Sequence, residues 1–359
     1  MRKLNFAVIG AGAGGQSMAA ILTEKGYRVR LYDIDEKKIS CINALGKIAV
    51  TGKISACAMP DSVTADLAFA MEGADVVMIT TTADAHEAVG KAIKPYIRDG
   101  QIIMLNPGQV GGALMMSQTI RSREDPPNVI IAEALDLMYA CRVEDVGRIF
   151  HSGIKNSVLA ATVPARDIAP FMEIMKPVFP SLTGADSVLY TSLDCGGAIL
   201  HIIPTLMNIN RMDSGESYDY YLEGITPHIA ALLELADAER KEVCGVLRAD
   251  LPSLLDWLKD CYHVEGDSLY EAIQKNDAYR GVSCPTDLKH RFISEEVLTG
   301  FVPMASIARE VGVKTPMIDS FIYIAQAFTG VDYWKEGRTA EKLGIAGKSV
   351  EEIRNYISK

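Results

Sequence analysis

The sequence is short of positive charge, of cysteine pairs and of long apolar runs, and each shortage closes off a class of function. Lysine and arginine total 36 against 46 aspartates and glutamates, a net charge of −10. That balance argues against a nucleic-acid partner, because phosphate backbones are held by basic surface. The seven cysteines (Cys41, Cys57, Cys141, Cys195, Cys244, Cys261 and Cys284) are odd in number and scattered, with no C-x-x-C or His-Cys ligand spacing. They read as small buried hydrophobes of a reducing compartment, so neither a disulfide framework nor a bound metal is expected. No apolar run is long enough to cross a bilayer, and the N-terminus passes directly into a strand pattern with no room for a signal peptide. The expectation is a cytoplasmic protein with no membrane partner. Internal repeats and low-complexity segments are absent as well.

What is present is an ordinary globular composition, 48% apolar and 23% charged over 359 residues, enough for two domains with separate cores. The first thirty-three residues organise the rest. Leu4, Phe6, Ala7, Val8 and Ile9 form an unbroken apolar run, the mark of a strand buried on both faces of a parallel sheet. The run ends on Gly10-Ala11-Gly12-Ala13-Gly14-Gly15. Met18, Ala19, Ile21 and Leu22 then recur at helical spacing, and Val29, Leu31 and Tyr32 give a second strand ending at Asp33. This is a βαβ dinucleotide-binding unit. Gly10 makes the tight turn, Gly12 admits a pyrophosphate, Gly15 permits close helix packing, and the phosphates meet free N–H groups of the turn, Ala13 and Gly14 included. Asp33 stands where a carboxylate accepts the ribose 2′-hydroxyl and repels a 2′-phosphate, which favours NAD over NADP. Arg30 is a competing phosphate partner.

Further along, the pattern predicts a charged helix at 36–45, polar edge strands over 48–58, a short helix at 62–69 and a buried strand at 74–80 with Thr81 following at its C-terminal end. A helix at 85–96 and a strand at 101–105 follow, the latter ending in Asn106-Pro107-Gly108. Thr81 and Asn106 therefore lie at C-terminal strand ends, where open α/β sheets bind ligands. Strands at 129–133 and 159–163 and a helix at 169–179 complete a Rossmann-type, doubly wound parallel sheet over residues 1–185. Strand signals then stop. Residues 186–359 read as an all-helical domain, with periodicity at 189–211, 225–246, 253–261, 269–275, 305–311, 316–328 and 350–357. The apolar helices 225–246 and 316–328 are expected to pack either a core or a homodimer.

Within the helical domain, His201, Thr205 and Asn208 fall at i, i+4 and i+7, one polar stripe on an apolar rod. Pro204 removes a helical N–H and leaves the Leu200 carbonyl without its partner. A buried polar stripe needs polar partners or a ligand, and an imidazole is suited to moving protons near neutral pH. A charged stretch, Lys289 to Val297, carries Arg291, able to grip a carboxylate with two bonds, and Glu295 and Glu296, either able to orient an imidazole. Tyr218, Tyr220 and Tyr221 read as core or interface, and His86, His151, His228 and His263 as structural.

The chain resembles the opine dehydrogenases of the octopine/nopaline type. The resemblance runs through the opening glycine loop and Asp33, Leu105-Asn106-Pro107-Gly108, His201 to Arg211, Tyr220 to Pro227, Ala278-Tyr279-Arg280-Gly281, Arg291 to Val297, Thr315-Pro316 and Lys335 to Thr339. It implies NADH-dependent reductive condensation of a 2-oxo acid, usually pyruvate, with the amino group of an L-amino acid through an imine. The family's catalytic histidine falls on His201 and its carboxylate-binding arginine on Arg291. The acid that partners the histidine is an aspartate in the family and falls here on Glu296, one methylene longer, with Glu295 and Asp319 as the other acids available. In this scheme Asn208 and Thr205 contact substrate, and Asn106 serves both cofactor and substrate. Two alternatives stay open: a ketopantoate-reductase-like or other 2-hydroxy-acid dehydrogenase, and a non-catalytic NAD sensor.

Overall fold

The computed structural model describes residues 3–358. The chain forms two compact units, one of residues up to Thr191 plus those from Ile357, the other Ser192–Tyr356.

The first unit is built on a sheet of eight strands. In chain order its members are β1 (Asn5–Ile9), β2 (Arg28–Tyr32), β5 (Ser62–Thr64), β6 (Val76–Ile79), β7 (Ile102–Leu105), β8 (Ile130–Ala134), β11 (Val158–Val163) and β12 (Leu182–Gly184). Their order across the sheet is β12-β11-β8-β7-β6-β1-β2-β5, with every neighbour parallel except β8 and β11. The central strands are apolar on both faces: Phe6, Val8 and Ile9 of β1 and all of β6 and β7 are buried. Each such side chain contributes about 2 kcal/mol of burial. Strand and helix order place the C-terminal ends of β1, β6 and β7 beside the glycine turn: Thr80 N donates to the Ile9 carbonyl at 2.9 Å and Asn106 N to the Ile79 carbonyl at 2.9 Å.

Two segments depart from expectation. Residues 62–69 divide, because Val63 pairs with Leu31 as an edge strand and the helix Leu67–Met71 starts only after Asp66, whose carboxylate accepts from Phe69 N. The strands β3 (Ile48–Gly52) and β4 (Ala56–Ala58) join β9 (Tyr139–Asp145) and β10 (Arg148–Ile154) in a second sheet of four, ordered β4-β3-β10-β9. The hairpin β9–β10 gave no sequence signal because its first strand is largely charged and exposed over Arg142–Asp145. The second sheet packs on the first helix, Ala13–Glu24, where Ser17 Oγ meets His151 Nε2 of β10 at 2.7 Å.

The second unit is helical. Its core is formed by Pro227–Val246, with Ile229, Leu233, Ala236 and Val243 inward, and Pro316–Thr329, with Ile318, Phe321, Ile322 and Ala325 inward. Leu235, Tyr323 and Phe328 of the same helices are exposed. Against them lies the helix Gly196–Met207, interrupted by Pro204.

Candidate functional site

In the first unit the glycine turn has the shape a dinucleotide requires. Gly10 adopts φ +106°, and a Cβ there would stand 2.9 Å from Thr81 Cγ2. At Gly15 a Cβ would stand 1.7 Å from the Gly10 carbonyl oxygen, so only glycine lets the helix start this close to the turn. Gly14 faces the Leu137 side chain. Gly12, the residue preceding Ala13 at the helix start, is different: nothing lies within 4 Å of its missing Cβ, which leaves open space at the positive end of the helix. Asp33 is buried, its Oδ2 accepting from Ala11 N at 2.6 Å and pairing with Lys38 at 3.0 Å, its Oδ1 accepting from Asp35 N at 2.9 Å. Burial opposes its ionisation, but the two amides and the Lys38 ammonium outweigh that and hold the carboxyl below its ordinary value. Arg30 is no phosphate partner: its guanidinium stacks on Phe69, donates to the carbonyls of Phe69 and Glu72 and pairs with the Glu72 carboxylate at 3.5 Å.

Two buried oxygens at the strand ends, Thr81 Oγ1 and Asn106 Oδ1, have no hydrogen-bond partner, while Asn106 Nδ2 donates to the Met104 carbonyl at 3.0 Å. Unsatisfied buried acceptors cost about 1–3 kcal/mol each, so their placement beside an open turn fits a bound nucleotide whose polar groups would satisfy them. Glu133 supports the same loop from beneath, its Oε2 accepting from Ala113 N at 2.7 Å and its Oε1 from the Thr191 hydroxyl at 2.5 Å.

In the second unit the polar stripe shares one face, as its spacing requires, and a turn bearing Tyr220 and Tyr221 covers it. Thr205 Oγ1 meets the Tyr220 hydroxyl at 2.9 Å. Asn208 Nδ2 donates to the carbonyls of Pro204 and Gly224, both at 2.8 Å. Both expected substrate contacts are buried, Thr205 against Tyr220 and Asn208 with its amide on two backbone carbonyls, and together they seat the tyrosine turn on the helix. Tyr220 also resolves the defect left by Pro204, its hydroxyl standing 2.7 Å from the His201 carbonyl and 3.3 Å from the Leu200 carbonyl. Asp219 holds the other end of the turn, accepting from Leu222 N at 3.0 Å and Gly281 N at 2.5 Å.

His201 is fixed from three sides. Its Nδ1 lies 3.1 Å from Glu296 Oε1, its Nε2 lies 3.1 Å from the Tyr221 hydroxyl, and its ring stacks on Phe292 with centroids 3.9 Å apart. Helical spacing explains which acid it meets. Phe292 and Glu296 are an i, i+4 pair on the face turned to His201, while Arg291 and Glu295 are the neighbouring i, i+4 pair, joined Nε to Oε2 at 3.1 Å. Asp319 is engaged elsewhere, with Arg309 at 3.0 Å. Directly after Glu296 the chain widens into a π-helical turn, Val297–Phe301. There Gly300 packs so tightly that an added Cβ would stand 2.6 Å from Ala198 Cβ. Glu296 Oε2 is buried without a partner, and the Arg291 side chain is 56% exposed.

Sequence reasoning missed Tyr221 and Phe292 as contacts of the imidazole. The available signal was Pro204: a proline inside a buried helix demands an outside donor, and a Tyr-Tyr pair supplies one hydroxyl for the helix and a second for its neighbour.

Residues 184–329 match the family model for the alpha-helical domain of NAD/NADP octopine/nopaline dehydrogenase, and residues 5–131 that for the N-terminus of NAD-dependent glycerol-3-phosphate dehydrogenase. The chain is 38% identical over 353 residues, 98% of each chain, to an opine dehydrogenase of Arthrobacter sp. (strain 1C). It is 26% identical over 328 residues to the octopine dehydrogenase of Pecten maximus, covering 82% of this chain and 78% of that one. A solved octopine dehydrogenase with NADH and L-arginine superimposes with a TM-score of 0.81 at 22% identity, over 99% of this chain and 98% of the other. No helix among the described residues is long and apolar enough to cross a membrane.

Proposed function

The chain belongs to the opine dehydrogenase family, and on that premise we propose that it joins a 2-oxo acid, pyruvate in the first instance, to the amino group of an L-amino acid, with NADH as reductant. The observation that carries this reading is the His201–Glu296 pair, an imidazole held in one orientation by a buried carboxylate 3.1 Å away, with the Arg291 guanidinium on the same short segment. Bound NADH supplies the hydride that reduces the imine, and Asp33, the glycine turn, Thr81 and Asn106 are the residues that would hold it.

The chain's own work is proton handling and positioning. An ionised Glu296 accepts from Nδ1–H, which fixes the tautomer and leaves the Nε2 lone pair as the base. The amino acid arrives as an ammonium and must lose a proton before its nitrogen can attack the oxo carbon. The carbinolamine must then gain one as its hydroxyl leaves as water. One imidazole serves both steps, stabilised as imidazolium by Glu296 in between. Arg291, with Glu295 on its Nε, presents its terminal nitrogens to a substrate carboxylate.

His201→Ala tests the reading: turnover falls by about 10²-fold or more with NADH affinity intact. Full turnover in that variant would remove His201 from the reaction.

A further inference from the structure

His201 has no free nitrogen in this structure, because Nδ1 is taken by Glu296 and Nε2, the basic atom, is capped by the Tyr221 hydroxyl. With Nδ1 carrying the proton, Nε2 can only accept, so Tyr221 is the donor. The phenol is 8% exposed and held rigidly, its ring stacked on Tyr279 at 4.0 Å and set edge-on to Tyr220 at 5.0 Å. The imidazole is equally fixed by Phe292 beneath it.

Resting on the function proposed above, we propose that Tyr221 is a catalytic residue, the relay through which substrate protons reach and leave His201. In the forward direction the substrate ammonium N–H breaks and its proton passes to the phenol oxygen, while the Tyr221 O–H proton passes to His201 Nε2. Amine, neutral phenol and imidazolium result, with charge and protons conserved. The reverse transfer delivers a proton to the carbinolamine oxygen, which leaves as water. Throughout, Tyr221 is a phenol before and after each step. Burial, reinforced by Tyr262 and Glu296 nearby, raises its ionisation well above the ordinary tyrosine value, which suits a group that passes a proton on without losing its own.

The test uses the full chain with NADH, pyruvate and whichever amino acid of a panel gives the fastest NADH oxidation. Tyr221→Phe keeps the ring and its stack on Tyr279 and removes only the oxygen. The relay predicts a fall in kcat of about 10²-fold, with NADH affinity unchanged. It also predicts that the parent enzyme's rate in mixed light and heavy water bends as two protons in flight require, whereas the residual rate of the variant does not. Full kcat in Tyr221→Phe alongside a dead His201→Ala overturns the relay and leaves the proposed function standing, as does a rate in the parent that falls linearly with deuterium content. Full activity in His201→Ala overturns both.

Discussion

Replacing Glu296 by glutamine keeps the side chain's size and its ability to accept from Nδ1, and removes only the charge. The separation of Nδ1 and Oε1 is 3.1 Å, and the carboxylate is 3% exposed while the imidazole is 19% exposed. Charge centres about 4 Å apart in an effective dielectric of about 20 attract by about 4 kcal/mol. That attraction exists only while His201 is an imidazolium, so its loss falls on the proton-transfer states and not on substrate binding. Converted by transition-state arithmetic, it corresponds to a fall in kcat of up to roughly 10³-fold, with KM little changed. Glu296 Oε2 is buried without a partner, so a glutamine amide turned there would lack an acceptor and cost about 1–3 kcal/mol of stability. Thermal unfolding and steady-state NADH oxidation with both co-substrates separate the two effects. A Glu296→Gln enzyme with kcat within threefold of the parent would refute the claim that the buried charge drives proton transfer.

The glycine turn separates folding from cofactor binding. Gly12→Ala should leave Tm unchanged, since nothing lies within 4 Å of its Cβ, yet lose NADH affinity because the methyl enters the space for the phosphates; Gly15→Ala, with its Cβ 1.7 Å from a carbonyl oxygen, should lower Tm sharply. Calorimetry with and without NADH checks both. Asp33→Ser should weaken NADH by about tenfold, the scale of one charge-assisted hydrogen bond, and raise NADPH use, because it frees Lys38 from its 3.0 Å pair; KM values for the two cofactors decide. His151 is buried with Nδ1 unpartnered, and burial holds it below the ordinary histidine value. The native ring stays neutral while the unfolded chain takes up a proton as pH falls through about 6.5. Its contribution is therefore complete above that pH and lost below it, and His151→Gln should flatten the fall in Tm between neutral and acidic buffers.

The nucleotide-binding half was readable because its constraints are local. A buried parallel strand must be continuously apolar, and a turn that admits phosphates must lack Cβ atoms at its close approaches, so Phe6–Ile9 and the glycines at 10, 12 and 15 announce themselves. The hairpin β9–β10 was not readable, since a charged, half-exposed strand carries no burial signal and is defined by its partners. The same division holds in the helical unit. His201, Thr205 and Asn208 share a face by spacing alone, but what covers that face comes from the Tyr220–Tyr221 turn, which spacing within the helix does not announce. In the structure Thr205 and Asn208 fasten the tyrosine turn. Glu296 over Glu295 followed from helical phase once Phe292 was seen against the imidazole.

The most direct test of the account is NADH oxidation by the purified protein with pyruvate alone, an amino acid alone, and the two together across a panel of amino acids, with the product weighed by mass spectrometry. The account predicts oxidation only when both co-substrates are present, and a product whose mass is their sum less one oxygen atom, as condensation with loss of water and gain of two hydrogens requires. Oxidation with pyruvate alone, unchanged by any amino acid and yielding a 2-hydroxy acid, would contradict it.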